Sequence, residues 1–319
     1  MAKIRVAVAG AGHFGAHHIR VVSQSDRAEL AAVIDQDLSR AEAAAGGRCP
    51  AFSNIDSLAG IADAVIVAVP TTAHAPIGCA LMEAGLDVLI EKPIAPDLES
   101  ADGLVRTTER LGRVLQVGHL ERFNPAVRAL EDAATLPLFF EIHRLSEFSP
   151  RSLDVDVVLD LMIHDLDIVL SLARGELSEI RASGISILSA RTDIANVRLQ
   201  FEDGAIANLT ASRVSIEKVR KLRLFQPGQY LSVDYARQDF VAVSVDENRQ
   251  IGFSKGSVTK GEPLQLQFDA FLDCIVNREM PRVSGRVATR SLKLALEITA
   301  RIAEHAALVA STIQKSCPA

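Results

Sequence analysis

The residues with the clearest chemical spacing are Gly10-Ala11-Gly12-His13-Phe14-Gly15, between a short β-branched run and a helical pattern. Each glycine has its own task there: the first permits a tight turn, the second lets backbone approach a pyrophosphate, and the third lets the helix pack on the strand. The helix N-terminus behind them presents N–H groups and a positive dipole end, so Gly10, Gly12, His13, Phe14 and Gly15 are read as cofactor-binding. Such a run is also compatible with a plain glycine-rich turn; Asp35, closing the next strand pattern, favours the dinucleotide. A carboxylate at that place accepts hydrogen bonds from the adenosine ribose and repels a 2′-phosphate. Asp37 adds a second negative charge and the nearest arginine is Arg40, so the expected cofactor is NAD rather than NADP. The bland alternative for Asp35 is a helix N-cap.

Two further groups carry reaction chemistry. Glu91-Lys92-Pro93 follows the strand pattern Asp87 to Ile90, at the carboxyl end where an open parallel sheet places its ligands. Lys92 there would hydrogen-bond a substrate hydroxyl and stabilise a developing alkoxide; otherwise it is a surface lysine in a turn. Asp156, Asp160, His164, Asp167 and Ser171 recur at helical spacing and predict one polar seam along a helix from Val157 to Ala173. A carboxylate at Asp160, one turn from His164, stabilises the protonated imidazole and suits it to act as a general base. Asp165 falls off the seam and carries less weight. Most other positions of this helix are apolar, so the seam is expected to line a cleft between domains; the alternative is a solvated stripe.

The elements that must position these groups follow from periodicity. Up to about residue 120, strand patterns (Ile4 to Ala9, Leu30 to Ile34, Ala64 to Val69, Asp87 to Ile90, Val114 to Val117) alternate with helical ones (His13 to Ser23, Ala75 to Ala84, Leu98 to Leu111). Short connections between them imply a doubly wound parallel sheet, an N-terminal Rossmann domain. Antiparallel signals follow, with Ala195 to Phe201 and Ala205 to Arg213 joined through Asp203-Gly204, then Lys221 to Phe225, Gln229 to Asp234 and Phe240 to Val245. Helices are expected over Leu264 to Asn277 and Ala288 to Thr312. The expected class is α/β: a dinucleotide domain at 1–120, then an α+β domain with a large open antiparallel sheet at 121–319. Its last helix, about 288–312, is expected to pack back on the first domain.

Lysine and arginine total 34 against 40 acids, a formal charge of -6, and form no cluster suited to nucleic-acid phosphates. Cys49, Cys79, Cys274 and Cys317 lie far apart, so neither a metal site nor a disulfide framework is expected. The N-terminus runs straight into a strand pattern, and charges interrupt every apolar stretch before it reaches spanning length. These features give an expectation of a cytoplasmic protein without membrane partners.

The glycine turn, Glu91-Lys92-Pro93 and Asp160-xxx-His164-xx-Asp167, in this order, resemble the Gfo/Idh/MocA oxidoreductase family over essentially the whole chain. The resemblance implies hydride transfer between a nicotinamide dinucleotide and a secondary alcohol of a sugar, cyclitol or nucleotide sugar. It implies Lys92 as the catalytic lysine, His164 as the base, and Asp160 as a substrate-binding or orienting carboxylate. It places Thr71, His74 and Glu91 on the cofactor side, and gives the second domain a role in forming a homodimer or homotetramer. Val117 to Pro125 and Asp154 to Asp165 resemble the branch that oxidises UDP-N-acetylglucosamine at C3, whose product is aminated towards a diamino sugar of lipid A. Arg122, Asn124 and Arg144 are then substrate-binding candidates, with Arg151 and Arg213 as further cations for a diphosphate. Many relatives carry glycine before the helical histidine where this chain has Met162-Ile163, which weakens a simple inositol or glucose assignment. An inositol or free-sugar dehydrogenase, and a dinucleotide sensor without catalysis, are the alternatives.

Overall fold

The computed structural model describes residues 2–316 except 59, 149–154, 247 and 257. Along the chain come β1 (Ile4–Ala9), α1 (His13–Gln24), β2 (Ala28–Ile34), α2 (Leu38–Ala45), β3 (Ala51–Phe52), β4 (Ala64–Val67), α3 (His74–Glu83), β5 (Asp87–Ile90), α4 (Leu98–Leu111) and β6 (Leu115–Val117). Then follow α5 (Pro125–Ala133), β7 (Phe139–Glu147), a π-turn (Val158–Met162), α6 (Ile163–Leu172), β8 (Leu177–Ile185), β9 (Ile194–Phe201) and β10 (Ile206–Ser215). The chain continues through β11 (Val219–Gln226), β12 (Gln229–Asp234), β13 (Asp239–Val245), β14 (Ile251–Lys255), α7 (Pro263–Asn277) and α8 (Gly285–Ser316).

The chain divides into two compact units, Met1–Phe123 with Glu262–Leu292, and Asn124–Gly261 with Lys293–Ala319. A single cut near residue 120 therefore becomes a discontinuous one. Of the final helix, the residues through Leu292 count with the first unit and the rest with the second.

The first unit is built on a six-stranded sheet of order β3-β2-β1-β4-β5-β6, parallel at every pairing. The order reverses between β1 and β4, so the crevice outside their carboxyl ends is the switch point where such sheets take ligands. Ala64-Val65-Ile66-Val67 of β4 are all buried, as a strand covered on both faces requires. Helix boundaries follow local chemistry: the Asp97 side chain accepts from Ser100 N–H at 2.8 Å to start α4, and Gly112 at φ 60° ends it. On the sheet face shared with α1, α7 buries Phe268, Phe271 and Leu272, each contributing about 2–3 kcal/mol by removal of apolar surface from water.

The second unit holds an eight-stranded sheet of order β14-β13-β12-β11-β7-β10-β9-β8. All its pairings are antiparallel except that between β7 and β10 at its centre, where Phe139 to Leu145 run alongside Ile206 to Ser212. One face of the sheet packs Val197, Leu199, Leu209, Phe140, Leu222 and Leu231 in a core with Leu130 of α5, Leu166 and Val169 of α6, and Leu294, Ile298 and Ile302 of α8. The expected continuous helix from Val157 to Ala173 is instead a π-turn followed by an α-helix. Among the described residues no helix is long and apolar enough to cross a membrane, and no cluster of metal-binding side chains is present.

Candidate active site

The glycine turn is built by backbone contact. Gly10 has φ +96°, and a Cβ on it would meet Ala68 O of the neighbouring β4 loop at 2.4 Å. A Cβ on Gly15 would lie 1.8 Å from Gly10 O, so α1 can close on β1 only without one. Gly12 is different: a Cβ there would meet nothing within 4 Å. Gly12 is also the N-cap of α1 and offers no side-chain cap to its first turn. An open cradle at a bare helix N-terminus fits the pyrophosphate of a dinucleotide. His13 and Phe14 are exposed beside it.

Asp35 braces this turn. Its Oδ2 accepts from Ala11 N–H at 2.8 Å and its Oδ1 from Asp37 N–H at 3.0 Å. The N-cap of α2 is Asp37, which accepts from Arg40 N–H at 3.2 Å, so the bland alternative for Asp35 is set aside. The Arg40 guanidinium folds back to within 3.5 Å of both Asp35 and Asp37.

The lysine turn leaves β5 beside these groups in the first unit. Glu91 N–H bonds Val67 O at 3.0 Å, and Lys92 N–H donates to Glu91 Oε2 at 3.2 Å. The Lys92–Pro93 peptide is cis, and Lys92 is half-buried. Glu91 Oε1 receives His18 Nε2 at 2.7 Å. Burial pushes the Glu91 carboxyl up, but the hydrogen bond and charge of His18, then the charge of Lys92, hold it below the ordinary carboxylate value. His74 is buried, with Nδ1 at 2.9 Å from Pro93 O and Nε2 at 3.0 Å from Val69 O. Burial holds its imidazole below the ordinary value, and a neutral ring has one N–H to share between the two carbonyls. Thr71 is half-buried and opens the short 3-10 turn Thr71–Ala73 just before α3. Arg122 is buried in the turn Leu120–Phe123, its N–H on His119 O at 3.0 Å.

In the second unit the polar seam is partly realised. Ile163 N–H bonds Val158 O, five residues back, which inserts one residue into the turn and rotates what precedes it by about 100° against α6. Asp160 and His164 are half-buried on either side of that insertion. Asp167 is buried, Ser171 returns its hydroxyl to Ile168 O at 2.7 Å, and Asp156 Oδ1 accepts from Thr192 N–H at 3.0 Å, anchoring a loop.

Asp165, discounted on spacing, is the structural anchor of this helix. Its carboxylate takes the Arg144 fork at 2.7 and 2.8 Å, and Tyr235 Oη donates to it at 3.0 Å. The Arg144 guanidinium lies 4.9 Å from the Tyr235 ring centroid, with Arg144 3% and Asp165 1% exposed. Arg144, expected at a diphosphate, is buried here against the Asp165 carboxylate. Asn124, expected at the substrate, caps α5 with its Oδ1 on Ala126 N–H at 3.1 Å and donates from Nδ2 to Tyr235 O at 3.0 Å. Arg213 is buried on the carbonyls of Val155 and Thr192, with Asp193 at 3.7 Å. Arg151 lies outside the described residues. Sequence reasoning missed the contacts of His18 with Glu91 and of Tyr235 with Asp165, which join positions far along the chain and leave no local spacing.

Over 315 residues the chain is 35% identical to the UDP-N-acetylglucosamine 3-dehydrogenase of Acidithiobacillus ferrooxidans, covering 97% of this chain and 99% of that one. The chain belongs to the Gfo/Idh/MocA family. Its residues 4–119 match the model of the oxidoreductase family with NAD-binding Rossmann fold, and residues 118–225 match the GFO/IDH/MocA C-terminal domain. A solved structure of the Acidithiobacillus enzyme superposes with a TM-score of 0.90 at 33% identity, covering 96% of this chain and 99% of that chain. Inositol 2-dehydrogenase of Corynebacterium glutamicum is 35% identical over 178 residues, 52% of this chain and 53% of its own. The fold is also that of an Agrobacterium radiobacter oxidoreductase solved with NAD+, L-tartaric acid and magnesium, at a TM-score of 0.84 and 16% identity over 95% of this chain and 97% of that one. As a Gfo/Idh/MocA member the chain is an NAD-dependent dehydrogenase acting on a CH–OH group.

Proposed function

We propose that the chain oxidises the 3-hydroxyl of UDP-N-acetylglucosamine to the 3-keto sugar. The observation that carries this reading is the extent of the likeness: the nucleotide-sugar enzyme matches over 97% of the chain, inositol 2-dehydrogenases over 52% to 65%. With its pyrophosphate held at the glycine turn, the dinucleotide would supply the hydride acceptor through its nicotinamide ring. His164 takes the hydroxyl proton, with Asp160 orienting the substrate, and the Lys92 ammonium stabilises the oxygen as negative charge develops on it. Gly10, Gly12, His13, Phe14 and Gly15 hold the pyrophosphate, Asp35 the adenosine ribose, and Thr71, His74 and Glu91 shape the nicotinamide side. Arg122 serves the substrate diphosphate; with Arg144 and Asn124 committed elsewhere, it is the remaining candidate of that set. The setting is a cytoplasmic homo-oligomer supplying a keto sugar for amination towards the diamino sugar of lipid A.

The test is incubation of the full chain with UDP-N-acetylglucosamine and NAD, an aminotransferase and amino donor drawing off the ketone. The expected result is NADH formation and a 3-amino nucleotide sugar by mass spectrometry, with myo-inositol inert. Turnover of myo-inositol and none of the nucleotide sugar would transfer the chain to the free-cyclitol reading. Lys92→Ala and His164→Ala are each expected to lower kcat/KM by about 10²–10⁴.

A further inference from the structure

The proposed chemistry makes no use of His18, yet this residue is placed for a task. It sits in α1, whose first turn is the glycine cradle, and its side chain is 1% exposed. Its Nε2 meets Glu91 Oε1 at 2.7 Å, while Glu91 Oε2 accepts the Lys92 N–H at 3.2 Å. One carboxylate therefore ties the cofactor helix to the peptide of Lys92. His18 Nδ1 has no hydrogen-bond partner among the described residues. Nε2 is therefore the ring nitrogen placed to donate to Glu91. Gly118 keeps the space this requires: a Cβ on it would come within 3.0 Å of Glu91 Oε2 and 3.1 Å of Cδ. A donor from one helix, an acceptor at the strand end and a void beside it form a built clamp.

We infer that His18 is a positioning residue for Lys92, acting through Glu91 to fix the lysine turn on the helix that carries the dinucleotide. This rests on Lys92 being the group that meets the reacting oxygen. The clamp predicts that losing the Nε2 donor misplaces Lys92 while the glycine cradle still binds NAD.

The experiment uses the full chain and the variants His18→Phe, which keeps a ring without a donor, His18→Gln, which returns an amide donor, and Glu91→Gln. The first readout needs no substrate: the rate at which a lysine-selective arylating reagent labels Lys92, relative to exposed Lys218, by peptide mass spectrometry. His18→Phe is expected to change that ratio at least about threefold and, with a turning-over CH–OH substrate, to lower kcat about 10–100-fold, the cost of a misplaced catalytic group. NAD affinity is expected to stay within about threefold of wild type, and His18→Gln to restore labelling and most of kcat. Glu91→Gln is expected to shift labelling the same way by a smaller factor, and it decides the matter should His18→Phe not fold. Unchanged labelling in both His18→Phe and Glu91→Gln would overturn the inference. So would equal impairment of His18→Phe and His18→Gln, since that is a packing defect, or a loss of NAD affinity matching the loss of kcat. Failure of the nucleotide sugar as substrate leaves the labelling result standing, so the two ideas fail separately.

Discussion

The turn from Gly10 to Gly15 and the segment from Val158 to Leu172 each present chemistry at a helix, but they are held by opposite means. In the first, backbone lies on backbone: Gly15 is packed on Gly10 O, and Gly10 on Ala68 O. In the second, side chains from distant positions do the holding, with Arg144 and Tyr235 closing on Asp165. The first tolerates no added volume at Gly10 or Gly15, and the second no lost charge. Substitutions in the two regions should therefore fail for different reasons and leave different signatures.

The largest effect is expected on the helical side. Asp165→Ala leaves the Arg144 guanidinium buried without its partner and should cost about 3–5 kcal/mol, read as a fall in the urea midpoint. A loss under about 1 kcal/mol would mean that packing holds this helix, and the contrast would collapse. Next, Gly15→Ala forces a methyl against the Gly10 carbonyl and should cost about 1–3 kcal/mol together with NAD affinity. Between these types stands Asp193, whose carboxylate takes the Ser189 hydroxyl at 2.7 Å and the N–H groups of Ile187, Leu188 and Ser189. Burial works against the charge, but these donors outweigh it and hold the group down at about 2. Its contribution is complete above the unfolded value of 3.8 and is lost as pH falls through about 2, a swing of about 2 kcal/mol. Urea midpoints at pH 5 and 2.5 should converge in Asp193→Asn relative to wild type. The smallest stability change is expected for Gly12→Ala, where nothing lies within 4 Å: within about 0.5 kcal/mol of wild type, yet with NAD affinity reduced about tenfold. A stability loss equal to that of Gly15→Ala would break the distinction between cradle and contact.

The same division decides what the sequence discloses. Ile4–Ala9, Asp87–Ile90 and Leu98–Leu111 appear in the structure at the predicted residues, because β-branched runs, a capping Asp97 and a closing Gly112 are local instructions. The glycine turn is legible for the same reason. The central strand Phe139–Glu147 escaped reading, since Glu141, His143 and Arg144 interrupt its apolar run. Arg144 shows its purpose only once Asp165 and Tyr235, remote in sequence, are placed beside it. The π-turn left no trace because apolar residues surround nearly the whole helix, and a slipped register changes no visible amphipathic pattern. His18 was one helix residue among several until Glu91 supplied its partner.

The assignment of residues 262 onward to both units bears on how the chain is made. Phe268, Phe271 and Leu272 complete the first core, and Leu294, Ile298 and Ile302 complete the second. At the ribosome, where domains ordinarily finish in order from the N-terminus, the first unit must wait through the whole synthesis of the second. The second cannot close its own core until thirty-odd residues more have emerged, and its central β7–β10 pair joins strands separated in the chain by α6, β8 and β9. Completion of both cores therefore waits on the residues from 262 onward, α7 for the first and α8 for the second. A nascent chain stalled before residue 262 lacks the segments that close both cores and should be protease-sensitive throughout.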